Sequence, residues 1–116
     1  MQILDTISND AKQKHTILLS TDNSHIVIRL VYKPTQLGWF MDIEYEEKDF
    51  KLYGLRVTTN TNLLDSYRNI VPFGIICYCK DNQEPLSVDD FLVGRAHLAV
   101  LDEDEVKYIT LQQRNK

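Results

Sequence analysis

Apolar and polar side chains alternate along much of the chain, and the alternation marks out strands. Over residues 24–33, Ile26, Ile28, Leu30 and Tyr32 fall on one side, with Val27, Arg29, Val31 and Lys33 on the other, because side chains of a strand project with period two. The first set is the expected core face. Residues 15–20 make the preceding strand, and Thr21-Asp22-Asn23 between the two has the side chains of an Asx-type turn. Pro34 has no N–H to give a ladder, so the second strand ends there and residues 34–38 turn the chain. The cleanest alternation follows: Trp39, Met41, Ile43 and Tyr45 against Phe40, Asp42, Glu44 and Glu46, the pattern of a sheet wetted on one side. Residues 50–58 form a fourth strand with Gly54 at its middle, where an isolated glycine predicts a bulge or bend.

After the polar break at 58–62, residues 63–67 are a single helical turn or an ordered loop, and 70–78 form a near-continuous apolar run. Such a run predicts a central strand buried on both faces. Ser87-Val88-Asp89-Asp90 has the form of an N-cap followed by acids, and Phe91-Leu92-Val93 continue that turn. Residues 96–101 and 105–111 are expected to form a terminal hairpin around the acidic turn Asp102-Glu103-Asp104, with Ile109 and Leu111 facing opposite to Val106 and Tyr108. The fold class is therefore all-β, a small antiparallel barrel or sandwich with one or two short helical turns. Residues 1–14 are an N-terminal arm, 15–112 a single β domain and 113–116 a polar tail.

A chain of 116 residues with 43% apolar and 26% charged positions has the length of one domain and enough apolar content for a core. Seventeen acids against thirteen bases give a net charge of −4, opposite to the basic footprint of a phosphate-binding surface, so nucleic acid is not an expected partner. The longest apolar run falls well short of the ~20 residues that cross a bilayer. The first ten residues carry acids where a signal peptide carries an apolar run. Neither a membrane partner nor secretion by that route is expected.

Catalytic and metal-binding patterns do not emerge. Cys77 and Cys79 share a strand face at a spacing unsuited to a relaxed disulfide, and one C-x-C supplies two of the four ligands of a structural zinc. Free thiols in a reduced compartment are expected. His15, His25 and His97 are scattered over strands, and the glycines at 38, 54, 74 and 94 are too far apart to cradle phosphate. Asp42, Glu44 and Glu46 on one strand, and Asp102 to Glu105 in the last turn, lack the glycine turn and ligand spacing of a calcium loop. They read as solvent-facing acids, the strand set being able to meet a basic partner surface. Phe40 breaks the polar face it occupies, and an aromatic there marks either a contact surface or a site covered by the arm. Candidate interface residues are Phe40, Asp42, Glu44, Ile109 and Leu111; catalytic, cofactor and metal residues are expected to be none.

The order of several segments resembles a known family. Residues 25–32, then Gly38-Trp39-Phe40-Met41-Asp42-Ile43, Tyr53-Gly54-Leu55-Arg56-Val57, Asn62-Leu63-Leu64 and Pro72-Phe73-Gly74 are similar to the cyanophage baseplate plug family of contractile-tailed bacteriophages. The resemblance covers roughly residues 15–112, and the arm and residues 102–116 match least. It implies a structural, non-enzymatic virion protein of the tail baseplate, made in the host bacterial cytoplasm. Such a protein acts by assembly contacts with hub, spike and tail tube, without cofactor, and as a homo-oligomer where the assembled tail requires it. A carbohydrate-binding β domain is the alternative, and a small enzyme using the acidic strand a third reading. Trp39 separates the first two, since sugar modules expose aromatic platforms and the alternation assigns Trp39 to the core.

Overall fold

The computed structural model describes residues 2–19, 24–60, 62–81 and 83–114. In chain order it contains β1 (Gln2–Ile3), β2 (Lys12–Leu18), β3 (His25–Lys33), β4 (Gly38–Tyr45), β5 (Phe50–Arg56), β6 (Gly74–Cys79), β7 (Ala96–Leu101) and α1 (Glu103–Arg114). Short 3₁₀ turns lie at Pro34–Gln36, Glu46–Lys48 and Asp65–Tyr67. The strands form two antiparallel sheets, one in the order β2-β3-β4-β5 and one in the order β1-β7-β6. The fold is mostly β, as the alternation predicts, and the sheets do not close into a barrel.

The core faces of both sheets contribute to one buried cluster. Ile26, Ile28, Leu30, Trp39, Met41, Ile43 and Tyr45 of the larger sheet are joined in it by Ile75, Cys77, Leu98 and Val100 of the smaller. The β3 and β4 alternation thus assigns their inner faces as expected. Gly54 marks the predicted irregularity: the β4–β5 register shifts between Met41 and Ile43, and Gly54 adopts φ +72°. The Gly54 N–H donates to Asp42 Oδ1 at 2.8 Å. A left-handed residue without a Cβ meets no steric penalty there.

Five expectations are corrected. Residues 1–14 are not a loose arm: Gln2 and Ile3 pair with Val100 and Ala99 of β7, Leu4 N–H donates to Leu98 O at 2.8 Å, and Ile7 is buried. The first long strand consequently begins at Lys12, three residues earlier than its apolar content indicated; the turn expected at 21–23 lies outside the described residues. The apolar run ending at Cys79 is an edge strand of its sheet, and β7 is the central one. Asn60, Asn62 and Leu63 shield that edge. Asn60 and Cys77 exchange two backbone hydrogen bonds of 3.0 and 3.1 Å, and Asn62 Oδ1 accepts from Leu64 and Ile75 N–H. Gly74 is needed at this close approach, because a Cβ would stand 2.7 Å from Asn62 Oδ1. Residues 87–93 form hydrogen-bonded turns without becoming a helix.

The largest correction is at the C-terminus, where the expected closing strand 105–111 is part of α1. Asp102 and Glu105 form a reciprocal capping box: Glu105 N–H donates to Asp102 Oδ1 at 2.8 Å and Asp102 N–H to Glu105 Oε1 at 3.1 Å. Glu103, Asp104 and Glu105 lie in the first turn, where the helix dipole favours negative charge. Ile109 and Leu111 are therefore helical residues, not the outward face of a hairpin strand.

Candidate assembly interface

The candidate residues fall on two separate surfaces. Phe40, Asp42 and Glu44 occupy the outer face of the larger sheet, since their neighbours Trp39, Met41, Ile43 and Tyr45 are buried on the inner one. Ile109 and Leu111 lie on α1, against the smaller sheet and the segment before β6.

On the sheet face, Phe40 is half-buried between two cations. Lys33 Nζ lies 4.5 Å from its ring centroid and the Arg56 guanidinium carbon 5.4 Å away, both within cation–π range. Arg56 Nη2 donates to Gln36 O and Leu37 O at 3.2 Å each, which fixes the guanidinium beside the ring. Asp42 is occupied by the bulge at Gly54. Glu44 accepts from Arg29 Nη1 at 2.7 Å, and Glu46 sits in the following 3₁₀ turn, off the strand. The expected acidic array is thus dispersed.

Cross-strand register brings other residues beside these acids. Lys12 is opposite Val31 and Lys14 opposite Arg29; Val31 is opposite Phe40 and Arg29 opposite Asp42; Phe40 is opposite Arg56 and Glu44 opposite Lys51. Directly paired residues share a face. Lys12, Lys14, Arg29, Lys33, Lys51 and Arg56 therefore surround Phe40, Asp42 and Glu44. Among the described residues, Arg29 alone of these six has a carboxylate within ion-pair distance. This basic surround was missed because it arises from three strands distant in sequence.

The second surface combines apolar side chains with charged ones at its margin. Among the described side chains of α1, Val106 is the buried one, and a cleft flanks it on either side. One, of about 360 Å³, is lined by Ile76, Leu101, Tyr108 and Ile109 beside Asp104 and Glu105. The other, of about 530 Å³, lies between α1 and the segment before β6, with Val71, Phe73, Val106 and Leu111 as its apolar part and Arg68, Glu103 and Lys107 as its charged part. Tyr108 and Leu111 are 63% and 59% exposed, so the helix leaves apolar surface toward solvent. On the same sheet face His97 stacks on Tyr78 at 5.0 Å.

Another set of polar groups serves the fold. Arg95 grips Asp90 through Nε and Nη2 at 2.8 and 2.7 Å, and reaches both oxygens of Asp81 and the carbonyl of Glu84. The Arg95 hydrogen bond holds the Asp90 carboxyl below the usual range, against the opposing effect of burial. The loop organised in this way closes over Trp39, whose Nε1 donates to Ser87 O at 3.2 Å and whose ring meets Phe91 edge-on. Trp39 is fully buried, where the alternation placed it, and offers no sugar platform. Burial pushes the Cys77 thiol up to about 12, with Cys79 adding to the effect, which suits a core thiol and not a nucleophile. Among the described residues, no three His, Cys, Asp or Glu side chains are grouped to hold a metal, and no helix is long and apolar enough to cross a membrane.

A family model described as cyanophage baseplate Pam3 plug gp18 matches residues 1–104. It includes residues 1–14, expected to match least, and ends as α1 begins, leaving Ile109 and Leu111 outside. No curated protein matches the chain.

Proposed function

The chain belongs to the cyanophage baseplate plug family, and from that premise we propose that it occupies the centre of a contractile tail and joins hub and spike to the tail tube by assembly contacts. The family gives it a structural role at the tail baseplate. The match over residues 1–104 carries this reading. Synthesis in the host cytoplasm follows from the same reading, and the buried thiols suit that compartment.

The contacts we assign to two patches: Phe40, Asp42 and Glu44 with their basic surround, and the α1 surface with Ile109 and Leu111. A structural protein of the baseplate acts through what it covers and what covers it. Co-expression with the hub, spike and tail-tube proteins tests the proposal. A stable complex containing this chain is expected, weakened by Phe40→Ala or Leu111→Ser with the circular dichroism of the free protein unchanged. Failure of the intact chain to enter any such complex would overturn it.

A further inference from the structure

The chain is acidic as a whole, yet its charge is not evenly spread. Eight of the seventeen acids lie between residues 81 and 105, in the loop that Arg95 organises and at the start of α1. Six of the thirteen bases stand on the outer face of the larger sheet, against the two carboxylates of Asp42 and Glu44. Those two are already engaged, by the Gly54 N–H and by Arg29. Lys12, Lys14, Lys33 and Lys51 are exposed.

We propose that this face is a docking surface for a carboxylate-rich surface of another protein in the baseplate, with Phe40 as its central anchor and the lysines as its rim. The proposal rests on the plug reading only in assigning the partner to the baseplate. Three observations select an acidic protein. Cations at the margin steer and orient a partner of opposite charge. The half-buried Phe40, with Val27 and Val31 on the same face, supplies the apolar centre that protein interfaces place inside a polar rim. A polyphosphate lying across the sheet has no apolar part to set against Phe40, Val27 and Val31, whereas a protein surface does. The sign is the reverse of that expected from strand β4 alone, because the acids of one strand are outnumbered by the cations of its neighbours.

A short fluorescein-labelled peptide of repeating Glu-Leu-Asp-Ser is the probe, read by anisotropy at low and high salt. Binding that falls by about tenfold or more in Lys14→Glu/Lys33→Glu is expected. Lys48→Glu/Lys80→Glu makes the same change in net charge off both candidate surfaces and should leave binding unaltered. Circular dichroism establishes that both variants are folded. Equal losses in the two variants, or no binding by the intact chain, overturn the proposal. Tighter binding of a DNA duplex of matched length would assign the face to nucleic acid instead. Self-association abolished by Lys14→Glu/Lys33→Glu would assign it to a second copy, and either result overturns the proposal. The co-expressed baseplate separates this inference from the reading beneath it. If Lys14→Glu/Lys33→Glu assembles as well as the intact chain, the plug reading stands and this face is excluded. If the intact chain does not assemble, the plug reading itself fails.

Discussion

Asp90 is 5% exposed and carries a charge because Arg95 clasps it with two hydrogen bonds while Ser87 N–H supplies a third at 2.8 Å. Removing that charge leaves a guanidinium facing an amide, and hydrogen bonds to charged groups contribute about 1.5–3 kcal/mol each. Asp90→Asn should therefore lower stability by about 2–3 kcal/mol, measured by urea denaturation at neutral pH. The pH dependence has a definite sign. The folded protein holds the Asp90 carboxyl below its ordinary value of 3.8, so its contribution is complete above that value. It is lost as the pH falls through the lowered folded value. Asp90→Asn should flatten the stability curve in that acid window, and an unchanged slope would remove Asp90 from the account. None of this was legible in the sequence, where Asp81 and Arg95 belong to no motif and Asp90 reads only as an acid of a capped turn. Their meeting depends on how the loop closes over Trp39.

At the scale of elements, legibility follows the range of the determining interactions. Strands β3 and β4 were readable because burial on one face imposes a period of two on neighbouring residues. The helix α1 was misread because Asp102 to Glu105 resemble a polar turn. The Asp-x-x-Glu spacing of a capping box was nevertheless present, followed by Val106, Ile109 and Thr110 at helical intervals. Asp102→Ala should cost about 1 kcal/mol and reduce the helical part of the circular dichroism spectrum, leaving the strand signal intact. The N-terminal segment was misread for a different reason: two exposed residues, Gln2 and Ile3, give no pattern, and their pairing with β7 is a long-range event. Deleting residues 1–14 removes β1, buried Ile7 and the first three residues of β2. The truncated protein is expected to melt at a clearly lower temperature. An unchanged melting temperature would restore the view of these residues as a detachable arm.

The whole molecule is small enough to limit how it can be held. Its principal extents are 34 × 33 × 22 Å, and a standard interface takes about 800 Å² from each partner. The broadest projection is only about 1,100 Å² by those extents, so two partners of standard size must use different sides. The two candidate surfaces meet that requirement with unlike chemistry: a cationic sheet face, and a surface beside α1 where Ile76, Leu101 and Ile109 line one cleft and Tyr108 and Leu111 are exposed. Salt distinguishes them. Raising the ionic strength from physiological to 1 M shortens the screening length from about 8 Å to 3 Å and weakens the charged contact, whereas apolar burial persists. A purified complex of this chain with its baseplate partners should therefore come apart in stages. At 1 M salt the partner on the sheet face should be released while the partner on α1 is retained, as measured by size-exclusion chromatography. Leu111→Ser should invert the order by loosening the retained partner at low salt. Simultaneous release of both partners in the intact complex would mean that one surface carries the whole attachment, and the division of labour between sheet and helix would be wrong.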